Sequence, residues 1–219
     1  QDREYSVPVV DIASVIIENL SSTITAQALS LLSEHGVAVF TCDSKHLPNG
    51  ILLPFSGHSR HLTAIQSQIG MPRVFQKRLW QKIVSQKIRN QALVLETFNI
   101  KGADTLHSLS CKVQSGDQTS IESIAAAKYF KCLFGNDFAR RSPGVINSGL
   151  NYSYALVRGL AARSISLHGY IPAIGLCHHN QLNSFNLADD FLEPYRPVVD
   201  AWVFQVMENA SDLSPEIKK

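Results

Sequence analysis

The pattern of hydrophobic positions in the first third of the chain predicts a small β layer with one helix packed against it. β-branched residues cluster at positions 7–10 and 15–17, and short apolar runs at 37–40 and 51–53 are also typical of strands. Between these runs, residues 22–34 carry apolar side chains at helical spacing. Gly36 follows, a residue type that commonly ends a helix, so we expect the helix to stop there.

The hydrophobic period becomes helical beyond two predicted breaks, a Pro-Phe-Ser-Gly linker at 54–57 and Gly70-Met71-Pro72. The helix that begins near Arg73 carries an apolar stripe, formed by Phe75, Leu79, Ile83 and Leu93. Further helices are predicted at about 119–134, at about 148–168, and from about 183 onward with interruptions at Pro194 and Pro197.

These elements predict an α+β protein in which a small N-terminal β domain with one helix precedes a larger all-helical domain. The expected division is a β domain over residues 1–57, a linker with a first helix over 58–72, and a helical domain over 73–219 that carries the candidate chemistry.

Composition indicates a folded protein and argues against a membrane protein or a small disulfide-rich one. Hydrophobic residues make up 45% of the 219 residues, which is enough to fill a core. The longest apolar runs fall far short of a membrane helix, and no basic-then-apolar leader opens the chain. The four cysteines are widely separated and form no Cys-x-x-Cys pair. We therefore expect reduced thiols in a cytoplasmic protein with no membrane partner.

The net charge of +2 conceals a strong segregation of charge along the chain. No acidic residue lies between Asp43 and Glu96, whereas that interval holds eight Lys and Arg residues. A basic helix face of this kind suits DNA phosphates, although an exposed charge run is more often simply solvated. The candidate phosphate-binding residues are Arg73, Lys77, Arg78, Lys82, Lys87 and Arg89.

Acidic residues and histidines near the end of the chain are candidates for a metal site. Asp190 and Glu193 would share one face of a helix, and Asp189 is close to both. His178-His179 lies shortly upstream and could add an imidazole. Carboxylates plus imidazole suit Mg²⁺ or Mn²⁺, with the imidazole favouring Mn²⁺. The alternative is an exposed acidic helix end beside ordinary loop histidines.

Glu122 has two interpretations. Thr119-Ser120-Ile121-Glu122 fits a capping box, in which Glu122 reaches back to the start of its helix. Alternatively, the small residues around Ala126 indicate an inward-facing carboxylate that needs a partner.

Other chemistries have little support in the sequence. There is no Gly-x-Ser-x-Gly motif, no glycine-rich phosphate loop and no zinc-type cysteine spacing. Cys177 beside His178 suggests a thiol nucleophile, but a buried structural cysteine is the expected role. Arg158 and Arg163 lie in a mostly apolar helix, where we expect structural pairing.

Several segments closely resemble the CRISPR-associated integrase, the larger subunit of the spacer-acquisition complex, in the form found with single-protein effector systems. The similarity runs in register from about Tyr5 to about Asp200. The segments that carry it are Leu150 to Leu156 (LNYSYAL), His178 to Asp190 (HHNQLNSFNLADD) and Phe191 to Pro197 (FLEPYRP), together with the shorter matches at 77–80, 87–92, 115–117 and 129–138.

The resemblance implies a set of site residues and a chemistry. Its metal ligands would be Glu122, His178 and Glu193, binding Mg²⁺ or Mn²⁺, while Asp190 occupies an acidic position linked to function. His179 and Asp189 match less important positions. The implied activity is that of a DNA endonuclease and integrase, which inserts protospacer DNA into a CRISPR array through attack of a 3′-hydroxyl on a phosphodiester.

The resemblance also implies partners and a prokaryotic cytoplasmic setting. The partners would be double-stranded DNA (protospacer and CRISPR repeat), a second copy of the chain, and a smaller adaptation subunit. Relatives have more β-strand before Tyr5 and more helix after Asp200, so the chain is expected to be shortened at both ends. Two alternatives remain at this point: a non-catalytic DNA-binding scaffold of the same fold, and an acidic helical interaction protein that binds no DNA.

Overall fold

A computed structural model describes residues 5–55 and 58–207. Its N-terminal part is a three-stranded sheet of β1 (Ser14–Ile17), β2 (Ala38–Cys42) and β3 (Pro48–Leu52), in that spatial order. β1 and β2 are parallel and are connected through helix α1 (Ala26–Glu34), whereas β2 and β3 are antiparallel neighbours. The predicted small β layer with one helix is therefore confirmed.

The first β-branched run differs from the prediction because it contains no strand. Val9–Asp11 forms a short 3₁₀ turn, which Pro8 introduces with its fixed φ of −58° and closes by accepting a hydrogen bond from the Asp11 amide at 3.0 Å. Helix α1 also begins later than expected, where the Thr25 side chain accepts a hydrogen bond from the Ala28 amide at 3.1 Å. Of the predicted linker at 54–57, residues 56 and 57 lie outside the described residues.

The remainder is helical, which confirms the α+β class. The helices are α2 (His61–Ile69), α3 (Arg73–Thr97), α4 (Ala103–Ser110), α5 (Ile121–Phe134), α6 (Val145–Leu167), α7 (Asn186–Leu192) and α8 (Arg196–Met207), with a 3₁₀ turn (Glu193–Tyr195) between the last two. Helix α4 was not predicted. Helix α3 is central, because α4, α5, α8 and the 3₁₀ turn all pack against it. Among the described helices, none is long and apolar enough to cross a membrane.

The buried face of α3 is not the predicted stripe. Phe75 and Leu93 are 51% and 52% exposed, respectively. The buried row instead includes Trp80, Val84 and Lys87 at alternating spacings of four and three residues. A lysine can occupy such a row because its aliphatic stem is apolar, provided that its ammonium group finds partners.

The sheet is attached to the helical part through α6. Gly159 of α6 lies so close to the ring of Phe40 in β2 that an added Cβ would overlap it. Nearby, the Arg163 guanidinium donates a hydrogen bond to the carbonyl of Gly36, which confirms a structural role for this arginine. Gly36 has a φ of +69°, so a residue with a side chain would be strained there.

Candidate metal and nucleic-acid site

The two glutamates of the implied metal site converge on one lysine. Glu122 lies in the first turn of α5, and Glu193 begins the 3₁₀ turn after α7. Lys87 Nζ of α3 is 2.5 Å from Glu122 Oε1 and 2.5 Å from Glu193 Oε2. These two carboxylate oxygens are thus separated by no more than twice that distance. The fold brings together two acids that are remote in the sequence.

The pKa values of Lys87 and Glu193 are both shifted toward the charged form. Burial favours a lower pKa for Lys87, but Glu193 and Glu122 outweigh burial and raise it above the ordinary value. Burial likewise favours a higher pKa for Glu193, but Lys87 and Arg196 outweigh burial and lower it. Arg196 Nε donates a hydrogen bond to Glu193 Oε1 at 2.9 Å. Glu193 therefore binds a different cation with each oxygen.

The Glu122 side chain is available to pair with Lys87 because another residue caps the helix that contains Glu122. Asp117 Oδ1 accepts a hydrogen bond from the Ile121 amide at 2.9 Å, and Asp117 Oδ2 accepts one from the Glu122 amide at 3.0 Å. Ser120 makes no side-chain cap and has a left-handed φ of +54°. The capping-box interpretation of Glu122 is wrong, since its carboxylate points to Lys87.

His178 is oriented by Asp190. The Asp190 carboxylate is fully buried and accepts hydrogen bonds from the amides of Leu176, Cys177 and His178, at 2.5, 3.2 and 3.2 Å. It also lies 2.7 Å from His178 Nδ1, and this hydrogen bond raises the pKa of the imidazole above its ordinary value. Asp190 is therefore a positioning residue, and Nε2 is the ring nitrogen left to contact a ligand.

His178 belongs to the same region as the glutamates. The edge of Trp80 packs against the His178 ring, with ring centroids 5.7 Å apart. Trp80 lies two turns before Lys87 on the same face of α3. The negative charge of Glu193 also contributes to the raised pKa of His178. The described part of the chain nevertheless contains no three His, Cys, Asp or Glu side chains close enough to hold a metal ion as they stand.

The residues present fit a hard divalent cation in their chemistry. Two carboxylates from separate elements already share one positive charge at Lys87. The imidazole has one nitrogen anchored on a carboxylate, an arrangement common among metal-binding histidines. Oxygen-rich donors with one imidazole suit Mg²⁺ or Mn²⁺. Glu122, His178 and Glu193 are the residues that would hold such an ion.

The basic residues of α3 were predicted to share one face, but they lie on two sides of the helix, and one of them, Lys87, is buried. Arg73 and Lys77 continue the row of Lys87, whereas Arg78, Lys82 and Arg89 face the opposite side of the helix. These five side chains are exposed. Lys87 is only 7% exposed and pairs with the glutamates, so the expectation that it lies on the phosphate-facing surface is wrong.

Arg73 interacts electrostatically with Cys177 in the histidine loop. The positive charge of Arg73 counteracts, in part, a pKa for Cys177 that is raised to about 11, chiefly by burial of the sulfur and next by Asp190. Cys177 as a whole residue is exposed even though its sulfur is partly buried, so it is not the fully buried structural cysteine that the sequence predicts. A thiol with so high a pKa is a poor nucleophile near neutral pH.

A basic pocket on the other side of Glu193 was not predicted. This pocket of about 210 Å³ is lined by three arginines, Arg140, Arg158 and Arg196, and by one carboxylate, that of Asp189. Arg140 donates to the side-chain oxygens of Asn147 and Asn151, both neutral residues, at 3.0 and 2.9 Å, and its guanidinium lies over the ring of Tyr154. Three cations against one carboxylate give the lining of the pocket a net positive charge. No local motif signals it, because the arginines come from the α5–α6 connection, α6 and α8.

Comparison with known proteins places the chain in a family. The family model described as CRISPR associated protein Cas1 matches residues 1–213. The CRISPR-associated endonuclease Cas1 of Neisseria meningitidis serogroup C is 45% identical over 221 residues, covering 99% of this chain and 73% of the relative. The chain belongs to the Cas1 family. The resemblance seen in the sequence is thereby confirmed, and the chain spans about three quarters of the length of this relative.

Solved structures share the Cas1 fold of this chain. A casposase bound to its integration product has a TM-score of 0.76 at 21% identity, covering 94% of this chain and 63% of that one. The Cas1 protein TM1797 from Thermotoga maritima has a TM-score of 0.75 at 20% identity, covering 92% and 69%. A chain of a partial Cas6-RT-Cas1–Cas2 complex has a TM-score of 0.62 at 20% identity, covering 93% and 67%.

Proposed function

We propose that this Cas1 chain forms the catalytic part of a divalent-metal-dependent DNA endonuclease and integrase, which inserts protospacer DNA into a CRISPR array. The observation that carries the proposal is the convergence of Glu122 and Glu193 on one buried positive charge, beside an imidazole oriented by Asp190. The 45% identity to a Cas1 endonuclease supports the same chemistry.

The side chains would have distinct roles. Glu122, Glu193 and His178 Nε2 would hold Mg²⁺ or Mn²⁺. Such an ion, when bound, neutralises charge on the non-bridging and leaving oxygens of a phosphodiester under attack by a 3′-hydroxyl. Asp190 holds the histidine loop and the imidazole in place. This transesterification requires no protein nucleophile, which agrees with the high pKa of Cys177.

The exposed basic residues of α3 would contact DNA phosphates without reading bases. Arg73 and Lys77 lie on the side of the candidate site, so we assign them to the reacting strand. Arg78, Lys82 and Arg89 face away and would contact a second segment of DNA. Five phosphate contacts predict that log affinity falls with log salt concentration at a slope of about −4.5. A slope near zero in a salt titration would show that these residues do not contact DNA phosphates.

The partners proposed for this chain follow from its family. They are double-stranded DNA, a second copy of the chain, and the smaller adaptation subunit Cas2. The described relatives support the first and the last, since one is bound to an integration product and another forms a complex with Cas2.

Strand transfer by the purified chain with Cas2 tests the proposed chemistry. A labelled protospacer should join a CRISPR repeat in the presence of Mn²⁺, and Glu122→Gln should reduce the rate by at least about 100-fold, a loss typical of removing an electrostatic catalytic group. Glu34→Gln, an exposed change in α1, is the matched control and should retain full activity. Equal rates for the wild type and Glu122→Gln would refute the assignment.

A non-catalytic DNA-binding scaffold is the second candidate function. It is favoured by one observation, that within the described residues Lys87 already pairs with both glutamates and no metal-binding group of three is assembled. Tight binding of duplex DNA by the wild type, with no metal-dependent joining, would support the scaffold.

A further inference from the structure

Lys87 occupies the position where the candidate metal site needs positive charge. Its ammonium group touches one oxygen of Glu122 and one of Glu193, and its side chain is only 9% exposed. We infer that Lys87 is an internal counter-ion that stabilises the metal-free site and competes with the divalent cation for these two carboxylates. The inference rests on the proposed function, because it concerns the same site.

The burial of these groups explains why such a counter-ion is needed. The Glu193 side chain is only 6% exposed, so water does little to relieve its charge or its repulsion of Glu122. An uncompensated buried charge strongly destabilises a fold. Without Lys87, the metal-free protein would have to hold the buried carboxylate of Glu193 close to that of Glu122, whose side chain is 30% exposed, with no cation between the two.

The second cation at Glu193 does not serve this purpose. Arg196 binds Oε1 of Glu193, whereas Lys87 lies beside Oε2 and also contacts Glu122. Oε2 is buried and receives no hydrogen bond of favourable geometry, even though the ammonium is close. Arg196 can therefore keep its contact with Oε1 when a divalent cation binds. Lys87 and the cation compete only for Oε1 of Glu122 and Oε2 of Glu193.

The chemistry of lysine suits an exchangeable counter-ion. Its ammonium is a compact point charge on a flexible four-carbon stem, so it can withdraw from the carboxylates by rotation about side-chain bonds. An arginine would instead present a planar fork that binds carboxylates with two hydrogen bonds and is harder to displace. Competition of this kind weakens metal binding and keeps the metal-free site intact.

Direct measurement of Mn²⁺ binding without DNA tests the inference in the full chain. Isothermal titration calorimetry should show that Lys87→Met binds Mn²⁺ at least ten-fold more tightly than the wild type. Lys82→Met is the matched control, since this lysine is exposed on the opposite side of the same helix, and its affinity should be unchanged. Metal-free Lys87→Met should melt below the wild type and should gain more from Mn²⁺, because stabilisation by a ligand increases with the logarithm of its concentration relative to the dissociation constant.

Lys87→Arg gives a second test that keeps the charge and thus the fold. It should bind Mn²⁺ more weakly than the wild type, whereas a purely structural lysine predicts an unchanged affinity. Equal or weaker Mn²⁺ binding by folded Lys87→Met, or unchanged binding by Lys87→Arg, would overturn the inference. If the wild type binds Mn²⁺ and only these expectations fail, the proposed metal site survives; if no variant binds Mn²⁺, both proposals fall.

Discussion

Replacement of Asp190 by asparagine is the perturbation that best isolates the orientation of His178. The side chain keeps its shape, but one of its two acceptor oxygens becomes an NH₂ donor. In the wild type, Oδ2 accepts the amides of Leu176 and Cys177, and Oδ1 accepts the amide and Nδ1 of His178. In either orientation of the new side-chain amide, its NH₂ group must point at one or more backbone N–H groups.

The favoured orientation places the remaining oxygen on the amides of Leu176 and Cys177, since the Leu176 contact is the shortest at 2.5 Å. The new NH₂ group then faces His178, where it can donate to Nδ1 only if the ring moves its proton to Nε2. That tautomer removes the lone pair from the nitrogen that would bind metal. Replacing a carboxylate that orients a metal-binding histidine typically costs 10- to 100-fold in metal affinity, or about 1.4–2.7 kcal/mol.

The same change has a separate and smaller effect on folding. The amide of His178 loses its acceptor, which costs about 1–3 kcal/mol for a buried group and less here because the loop is partly exposed. In a protein of this size, 1 kcal/mol corresponds to a shift of about 2–4 °C in melting temperature. Loss of the Asp190 hydrogen bond, which is the main cause of the raised pKa of His178, should also lower that pKa.

Three measurements on Asp190→Asn check this reasoning. Calorimetric titration reports the Mn²⁺ affinity, nitrogen NMR of the imidazole reports its tautomer, and thermal unfolding reports the cost to the fold. We expect a weakened affinity together with a proton on Nε2 in a protein that remains folded. Wild-type Mn²⁺ affinity in the folded variant, or a ring that keeps its proton on Nδ1, would refute the positioning role of Asp190.

Two further predictions concern stability. Burial raises the pKa of Asp200 to about 7, so the folded state retains a proton that the unfolded chain releases, and stability falls as pH rises from about 4 to about 7. Asp200→Asn should therefore be more stable than the wild type at pH 8, by up to about 4 kcal/mol, and nearly as stable as the wild type at pH 4. Denaturant unfolding measures both differences. A variant that is less stable than the wild type by a similar amount at both pH values would contradict this reasoning. Asp117→Ala should lower stability by about 1 kcal/mol through loss of the α5 cap, whereas Ser120→Ala should change it by less than about 0.5 kcal/mol; the reverse order would reinstate the capping box.

Local sequence determined most helices and strands because their signals are local. The helix over residues 121–134 follows from its run of helix-forming residues and the glycine after it, and strand β2 follows from the short apolar run at 37–40. Strand β3 instead begins at Pro48, three residues before the predicted run at 51–53, because its pairing with β2 extends through Pro48, Asn49 and Gly50. The same logic failed at positions 7–10, where β-branched composition favoured a strand but Pro8 produced a 3₁₀ turn. Strand propensity alone does not supply the neighbouring strand that a sheet requires.

Residue pattern and chemistry made Glu122, His178, Asp190 and Glu193 candidates, and the resemblance implied which of them are metal ligands, but their contacts were decided by the tertiary structure. Spacing placed Lys87 among the exposed basic residues of α3, since a lysine in a helix is ordinarily solvated. It is buried because the fold positions Glu122, 35 residues away, and Glu193 of another element against the same face. Whether a charged side chain faces water or the interior depends on partners that only the packed chain provides, and no local pattern of residues contains them.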